Sequence, residues 1–223
     1  MHARPLSIAA AFTLAVIGCV PSTEGELGAG QFTYECKEET YDAACADSLS
    51  NQSNMPAKVA VGAPFEVVFW SDDSTEPGQS AVISASQSIL ARQGQSFVFA
   101  KPGFGAILAR EPSGTVVDFL HVQGAPVDHL TLFEAGKLVP DTLEMALDDT
   151  LVLYVEPMDA TESVLAGAID LVWSVNGAAV KLEADPYDKN VTTLVANDPG
   201  SVQVSVTGAG VAATVQVNVG GAP

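Results

Sequence analysis

The side chains in this 223-residue chain that could do chemistry are three histidines, three cysteines and a surplus of carboxylates. His121 stands near Asp118 and His129 follows Asp128, so either pair could seed a metal site. His121 is three residues from Asp118, an odd offset, so on a strand the two side chains point to opposite faces. Three acidic clusters fall where loops are expected: Asp72-Asp73 with Glu76, Asp148-Asp149, and Asp185 with Asp188 and Asn190. Calcium takes a shell of several oxygens, which makes Asp72, Asp73, Asp185 and Asp188 its candidate ligands. None of the clusters has EF-hand spacing, and solvated turns are the plainer account of them. No metal site is assigned. The sequence has no G-x-S-x-G elbow, no H-E-x-x-H, no Walker loop and no dinucleotide glycine pattern. No catalytic residue and no cofactor are expected. Carboxylate pairs for glycoside hydrolysis exist in any acidic chain and single out nothing.

The first twenty residues concern the compartment. Arg4 is the one firm positive charge before an apolar run from Ile8 to Gly18, about half of what a membrane-spanning helix needs. This is the h-region of a signal peptide. It ends in Val16-Ile17-Gly18-Cys19, which resembles the lipobox of bacterial lipoproteins. The resemblance implies cleavage after Gly18, lipid transfer to the Cys19 thiol and a membrane partner held through that lipid. Several acyl chains anchor stably, at about 0.8 kcal/mol per buried CH₂. Val20 resembles the outer-membrane class, where an aspartate would mark inner-membrane retention. Export also favours a disulfide between the two remaining cysteines, Cys36 and Cys45, around a short acidic loop. Two thiols with no nearby histidine make a poor zinc site.

Removing residues 1–18 leaves eight basic against 27 acidic side chains, a net charge of -19. Such a surface repels phosphate, so no nucleic-acid partner is expected. Only 16% of the chain is charged and 48% is apolar, which argues for a folded body.

The elements that would position any site are strands. Residues 20–30 are small and polar and suggest a flexible tether, followed by the Cys36/Cys45 loop up to residue 56, with a short strand at Gln31–Cys36. From Lys58 onward, short β-branched or alternating runs recur between Gly, Pro, Asp and Asn, as in a sandwich or barrel. The clearest are Val202, Val204, Val206 and Val215, Val217, Val219, joined through Gly208-Ala209-Gly210 as a hairpin. Weak helical periodicity occurs near Thr142–Leu147 and Thr161–Gly167. A Pro-Gly turn before a closing hairpin occurs at Pro102-Gly103 and again at Pro199-Gly200, 97 residues apart. The repeat suggests two tandem units split near Pro126.

Leu171-Val172-Trp173-Ser174-Val175, followed by Val180, Val191, the Pro199-Gly200 turn and the valine-rich hairpin, resembles a bacterial immunoglobulin-like domain of the group 2 type. The resemblance covers residues 127–220. Residues 57–125 share only the Pro102-Gly103 hairpin. Gly30 to Cys36 with Cys45 is also similar to a recurrent start in myxobacterial lipoproteins. The expected order is a signal peptide at 1–18, a lipid-anchored tether with its disulfide loop at 19–56, a sandwich at 57–125 and an immunoglobulin-like sandwich at 126–223. Trp173, sharing a face with Leu171 and Val175, is expected as a core anchor. The family resemblance implies a stalk, adhesin or spacer role and brings no catalytic residues. The leading expectation is a non-enzymatic envelope lipoprotein with a protein or glycan partner. A calcium-dependent adhesion module and an accessory or cryptic secreted hydrolase are the alternatives.

Overall fold

The computed structural model describes residues 22–36, 42–45, 52–72, 80–185 and 188–220. In chain order the strands are β1 (Thr23–Glu24), β2 (Gly30–Glu35), β3 (Gln52–Ser53), β4 (Lys58–Ala60), β5 (Pro64–Ser71), β6 (Ala81–Ser84), β7 (Leu90–Gln93), β8 (Ser96–Phe99), β9 (Gly103–Arg110) and β10 (Val116–Ala125). Then follow β11 (His129–Glu134), β12 (Lys137–Leu138), β13 (Thr142–Met145), β14 (Thr150–Met158), β15 (Val172–Asn176), β16 (Val180–Ala184), β17 (Val191–Ala196), β18 (Gly200–Gly208) and β19 (Val211–Val219). A single 3₁₀ turn, Ala43–Cys45, is the helical element among the described residues.

The strands form two sandwiches of the same topology. The first pairs a β2-β5-β8-β7 sheet with a β4-β10-β9-β6 sheet. The second pairs β11-β14-β17-β16 with β13-β19-β18-β15. Position by position these orders match. In each, a short strand runs parallel to the last one, β4 beside β10 and β13 beside β19. The repeat read from the two Pro-Gly turns is therefore a repeat of whole immunoglobulin-like units. The two closing hairpins, β9–β10 and β18–β19, occupy equivalent places at the centre of their sheets.

Alternation dictates what each strand buries. Val202, Val204, Val206, Val215, Val217 and Val219 all lie in the second core. Their hairpin closes through Ala209 (φ 50°) and Gly210 (φ 83°), the two positive-φ residues that a tight hairpin turn requires. The first core is aromatic instead, built on Phe32, Tyr34, Phe65, Phe69, Phe97 and Phe99.

The boundaries differ from expectation at the front of the chain. The first sandwich does not begin at residue 57, because its first long strand is β2, paired with β5 from Gly30↔Ser71 to Glu35↔Glu66. Residues 22–30 are not a loose tether either. Thr23 and Glu24 pair with Phe32 and Gln31, and Ser53 pairs with Tyr34. The reason is non-local: β2 and β5 are more than thirty residues apart, and a single strand carries no local sign of its partner. Cys36 and Cys45 form a disulfide, with Cα atoms 5.6 Å apart. Trp173 faces inward, but it stands on the edge strand β15 and is only partly buried against the core. Its Nε1 donates to Lys189 O at 3.0 Å, so it closes the rim of the sandwich.

Candidate functional site at the junction of the two sandwiches

After β14 the chain does not cross directly to β15. Residues 159–170 first run along the first sandwich, at the open edge of β4. Ala60 N donates to Ala166 O (2.8 Å), Ala166 N to Lys58 O (3.1 Å) and Ala168 N to Pro64 O (3.0 Å). Val59 and Ala166 form a parallel bridge. A loop of the second unit thereby adds a strand-like segment to a sheet of the first. Leu165 enters the core of the second sandwich and its neighbour Ala166 enters the core of the first. Gly167 has φ +103°, and a Cβ there would stand 2.7 Å from Ala63 Cβ. Glycine is the residue this close approach tolerates.

Two carboxylates fasten the segment. Asp159 Oδ1 accepts from Thr161 N, Thr161 Oγ1 and Ser163 N at 2.7–3.0 Å, folding the loop on itself. Its Oδ2 takes the Lys58 ammonium at 2.5 Å, across 101 residues. Lys58 Nζ also reaches Thr161 Oγ1 and Ser163 Oγ. Asp42 is the second fastener, lying between the two disulfide cysteines. Its Oδ1 accepts from Gly167 N (3.0 Å) and Ala44 N (3.0 Å), and its Oδ2 accepts from the Tyr34 hydroxyl. The disulfide thus holds a buried carboxylate of the first unit against a backbone N–H of the second.

The two carboxylates respond to pH with opposite sign. The Lys58 ammonium, then the Thr161 hydroxyl and the backbone N–H groups, hold Asp159 well below the usual carboxylate range. A depressed folded pKa gives stability that is present above the unfolded value and lost as pH falls through the folded one. Burial pushes Asp42 up, partly offset by its bonds from Tyr34, Gly167 and Ala44. A raised carboxylate pKa gives stability that is full at low pH and lost as pH rises through the folded value. Asp159→Asn is therefore expected to weaken the joint near neutral pH and to flatten the acid limb of stability. Urea midpoints from about pH 5 to about pH 2 check this; an unchanged slope contradicts it.

Replacing Cys36 and Cys45 together by serine releases the Asp42 loop. The chain-entropy cost is about 2.5–3 kcal/mol. The thermal midpoint should fall, and the Gly167 amide, deprived of a held acceptor, should exchange faster. Protection of Gly167 equal to that in the disulfide-bonded chain contradicts this.

Beside the joint lies an open cleft of about 420 Å³, reached by Gly62, Pro64, Ala168, Ile169, Asp170 and Ala209. A smaller hollow of about 120 Å³ lies by Asp42, Glu66 and Ser96. Asp42 is a buried carboxylate at a cleft, a setting that also suits a catalytic acid. Both its oxygens are engaged with the chain's own donors, so what this arrangement does is fasten.

No family model matches the sequence, and no curated protein matches it. Among solved structures the chain is similar to a glycosyl hydrolase family 2 member from Bacteroides cellulosilyticus, at 12% identity and TM-score 0.36, over 85% of this chain and 28% of that one. It is similar to the Escherichia coli adhesin FdeC at 14% identity and TM-score 0.34, over 74% of this chain and 62% of that one. It is also similar to a tandem pair of titin immunoglobulin domains at 13% identity and TM-score 0.26, over 74% and 93% of the two chains.

The residues singled out in the sequence are dispersed. Cys19 and Asp73 lie outside the described residues. Asp72 follows the end of β5. Asp185 Oδ1 accepts from Asp188 N (3.1 Å), and Asp188 Oδ1 from Asn190 N (3.4 Å), so these carboxylates take the chain's own N–H donors. Burial raises the Asp188 pKa. Among the described residues no three His, Cys, Asp or Glu side chains group as a metal shell would. His121 and Asp118 point apart as the strand offset requires. Asp118 is fully buried, while His121 is exposed and meets Glu26 at 2.7 Å. His129 meets Asp128 and Glu162 at the surface. Sequence inspection missed Asp42, Lys58 and Asp159, whose partners lie 125 and 101 residues away. The one local signal was Asp159-x-Thr161-x-Ser163, a carboxylate followed by the donors that cap it.

Proposed function

We propose that this chain is a non-enzymatic cell-envelope lipoprotein, anchored through Cys19, whose two immunoglobulin-like sandwiches act as one rigid unit for spacing or for presenting loops to a protein or glycan. The observation that carries this is the joint. A two-residue hinge would let two modules swing, whereas here residues 159–170 are hydrogen-bonded, ion-paired and packed into the other unit. Rigid scaffolds with loops at their ends are the usual way sandwiches bind. The lipobox-like Val16–Cys19 and the disulfide suit an exported chain. Among the described residues no helix is long and apolar enough to cross a membrane, and the reading gives anchoring to lipid on Cys19. Val20 favours the outer membrane.

Fractionation with mass analysis of the mature N-terminus tests this. The expected product begins at Cys19, carries acyl mass and sediments with membranes, while Cys19→Ser is released. An unmodified soluble chain contradicts the reading. Protease access on intact cells then decides between the surface and the periplasm.

A further inference from the structure

Ser22, three residues after Cys19, is already docked on the first sandwich. Ser22 Oγ bonds Gln31 Oε1, and Thr23 and Glu24 pair with β2. Three residues of fully extended chain span at most about 10 Å. A strand such as β10, ten residues long, runs roughly 33 Å. A leash so much shorter than the sandwich leaves little choice of which side faces the lipid. Resting on the lipoprotein reading above, we infer that the sheet edge formed by β1 and β3 is the membrane-facing side of the protein, apposed to the headgroup layer that holds the Cys19 acyl chains.

The edge is built for close apposition. β1 and β3, two residues each, lie end to end along β2, and Met55 N donates to Thr23 Oγ1 at 2.9 Å, tying the halves together. The loop after β1 is held stiffly. Leu27 N and Ala29 N donate to the Asp118 carboxylate at 2.9 and 2.8 Å, and Glu26 N donates to Phe119 O at 2.9 Å. At its tip the apolar Leu27 is 61% exposed. An open strand edge is a template for unwanted pairing, and a headgroup layer pressed against it removes that hazard. Nearby Glu24 is exposed and Glu26 is paired with His121. Among the described residues this edge shows no basic patch to draw anionic lipid, so the short leash imposes the contact and the unanchored chain does not bind vesicles.

Carboxylate footprinting with a water-soluble carbodiimide tests the orientation. The lipidated chain is placed on phosphatidylcholine vesicles and compared with the Cys19→Ser chain mixed with the same vesicles. Glu24 labelling should fall several-fold in the anchored chain. Asp198 lies at the end of β18 away from the junction turn at Ala209 and should be labelled equally in both. A Gly/Ser spacer of about a dozen residues inserted between Val20 and Pro21 should restore Glu24 labelling while flotation persists. Full labelling of Glu24 in a chain that carries its acyl mass and floats overturns the orientation alone. A chain without acyl mass that fails to float overturns the lipoprotein reading and the orientation with it.

Discussion

Gly167→Val is expected to open the joint while leaving both sandwiches folded. A β-branched residue at φ +103° is strained, at about 1–3 kcal/mol. Its Cβ would also stand 2.7 Å from Ala63 Cβ and 3.1 Å from Val59 Cγ1, and overpacking of this kind costs about 1–3 kcal/mol more. Neither neighbour is a flexible tip that can swing aside, since Val59 and Ala63 sit on and beside the buried strand β4. The strain has a cheaper outlet than unfolding. Lifting residues 164–168 from β4 relieves both terms and gives up the bonds of Ala60, Ala166 and Ala168. Hydrogen exchange reads this directly. Those three amides should lose protection by orders of magnitude, while Val204 and Val217 in the second core keep theirs. Unchanged protection at Ala60 and Ala166 would mean that the joint does not depend on this close approach.

Asp118→Ala should be the most damaging single change at the front of the molecule. The carboxylate is fully buried and accepts from Leu27 N, Ala29 N and Phe119 N. Bonds to a charged acceptor contribute about 1.5–3 kcal/mol each and do not add in full, so a loss of about 3 kcal/mol is expected. Asp118→Asn should recover part of the loss, because its Oδ1 can still accept from Leu27 N and Phe119 N while its NH₂ group faces the Ala29 N–H donor. Gly25 packs so closely on this carboxylate that a Cβ there would lie 2.2 Å from it, so the loop is seated directly on Asp118. The urea midpoint should fall for the first sandwich, and the amides of Leu27 and Ala29 should exchange freely. A variant as stable as the parent would show that water replaces the carboxylate at no cost.

What the sequence reveals and what it hides divide along contact distance. The hairpin of Val202–Val206 and Val215–Val219 was legible because its pattern, turn and partner lie within twenty residues. The tandem repeat was legible because each unit places a Pro-Gly turn before its closing hairpin. The strand at Gln31–Cys36 was legible and is β2, but its membership of the first sandwich was hidden. Strand β2 is separated from β5 by the disulfide loop, and β1 and β3 are too short to alternate. The weak helical pattern at Thr161–Gly167 has a physical origin. Leu165, Ala166 and Gly167 are buried in succession because they face two cores at once, and consecutive burial imitates a helix more than a strand. At Thr142–Leu147 the same ambiguity covers β13, a four-residue strand on the edge beside β19. The joint itself could not be seen, because Asp42 meets Gly167 and Lys58 meets Asp159 through contacts more than a hundred residues long.

The two sandwiches are expected to move as one body, and residual dipolar couplings measured on both units of one weakly aligned sample decide this. A single alignment tensor should fit the amides of β5, β9 and β10 together with those of β14, β18 and β19. Two tensors of different magnitude would mean that the units reorient independently, and the rigid module proposed here would not exist.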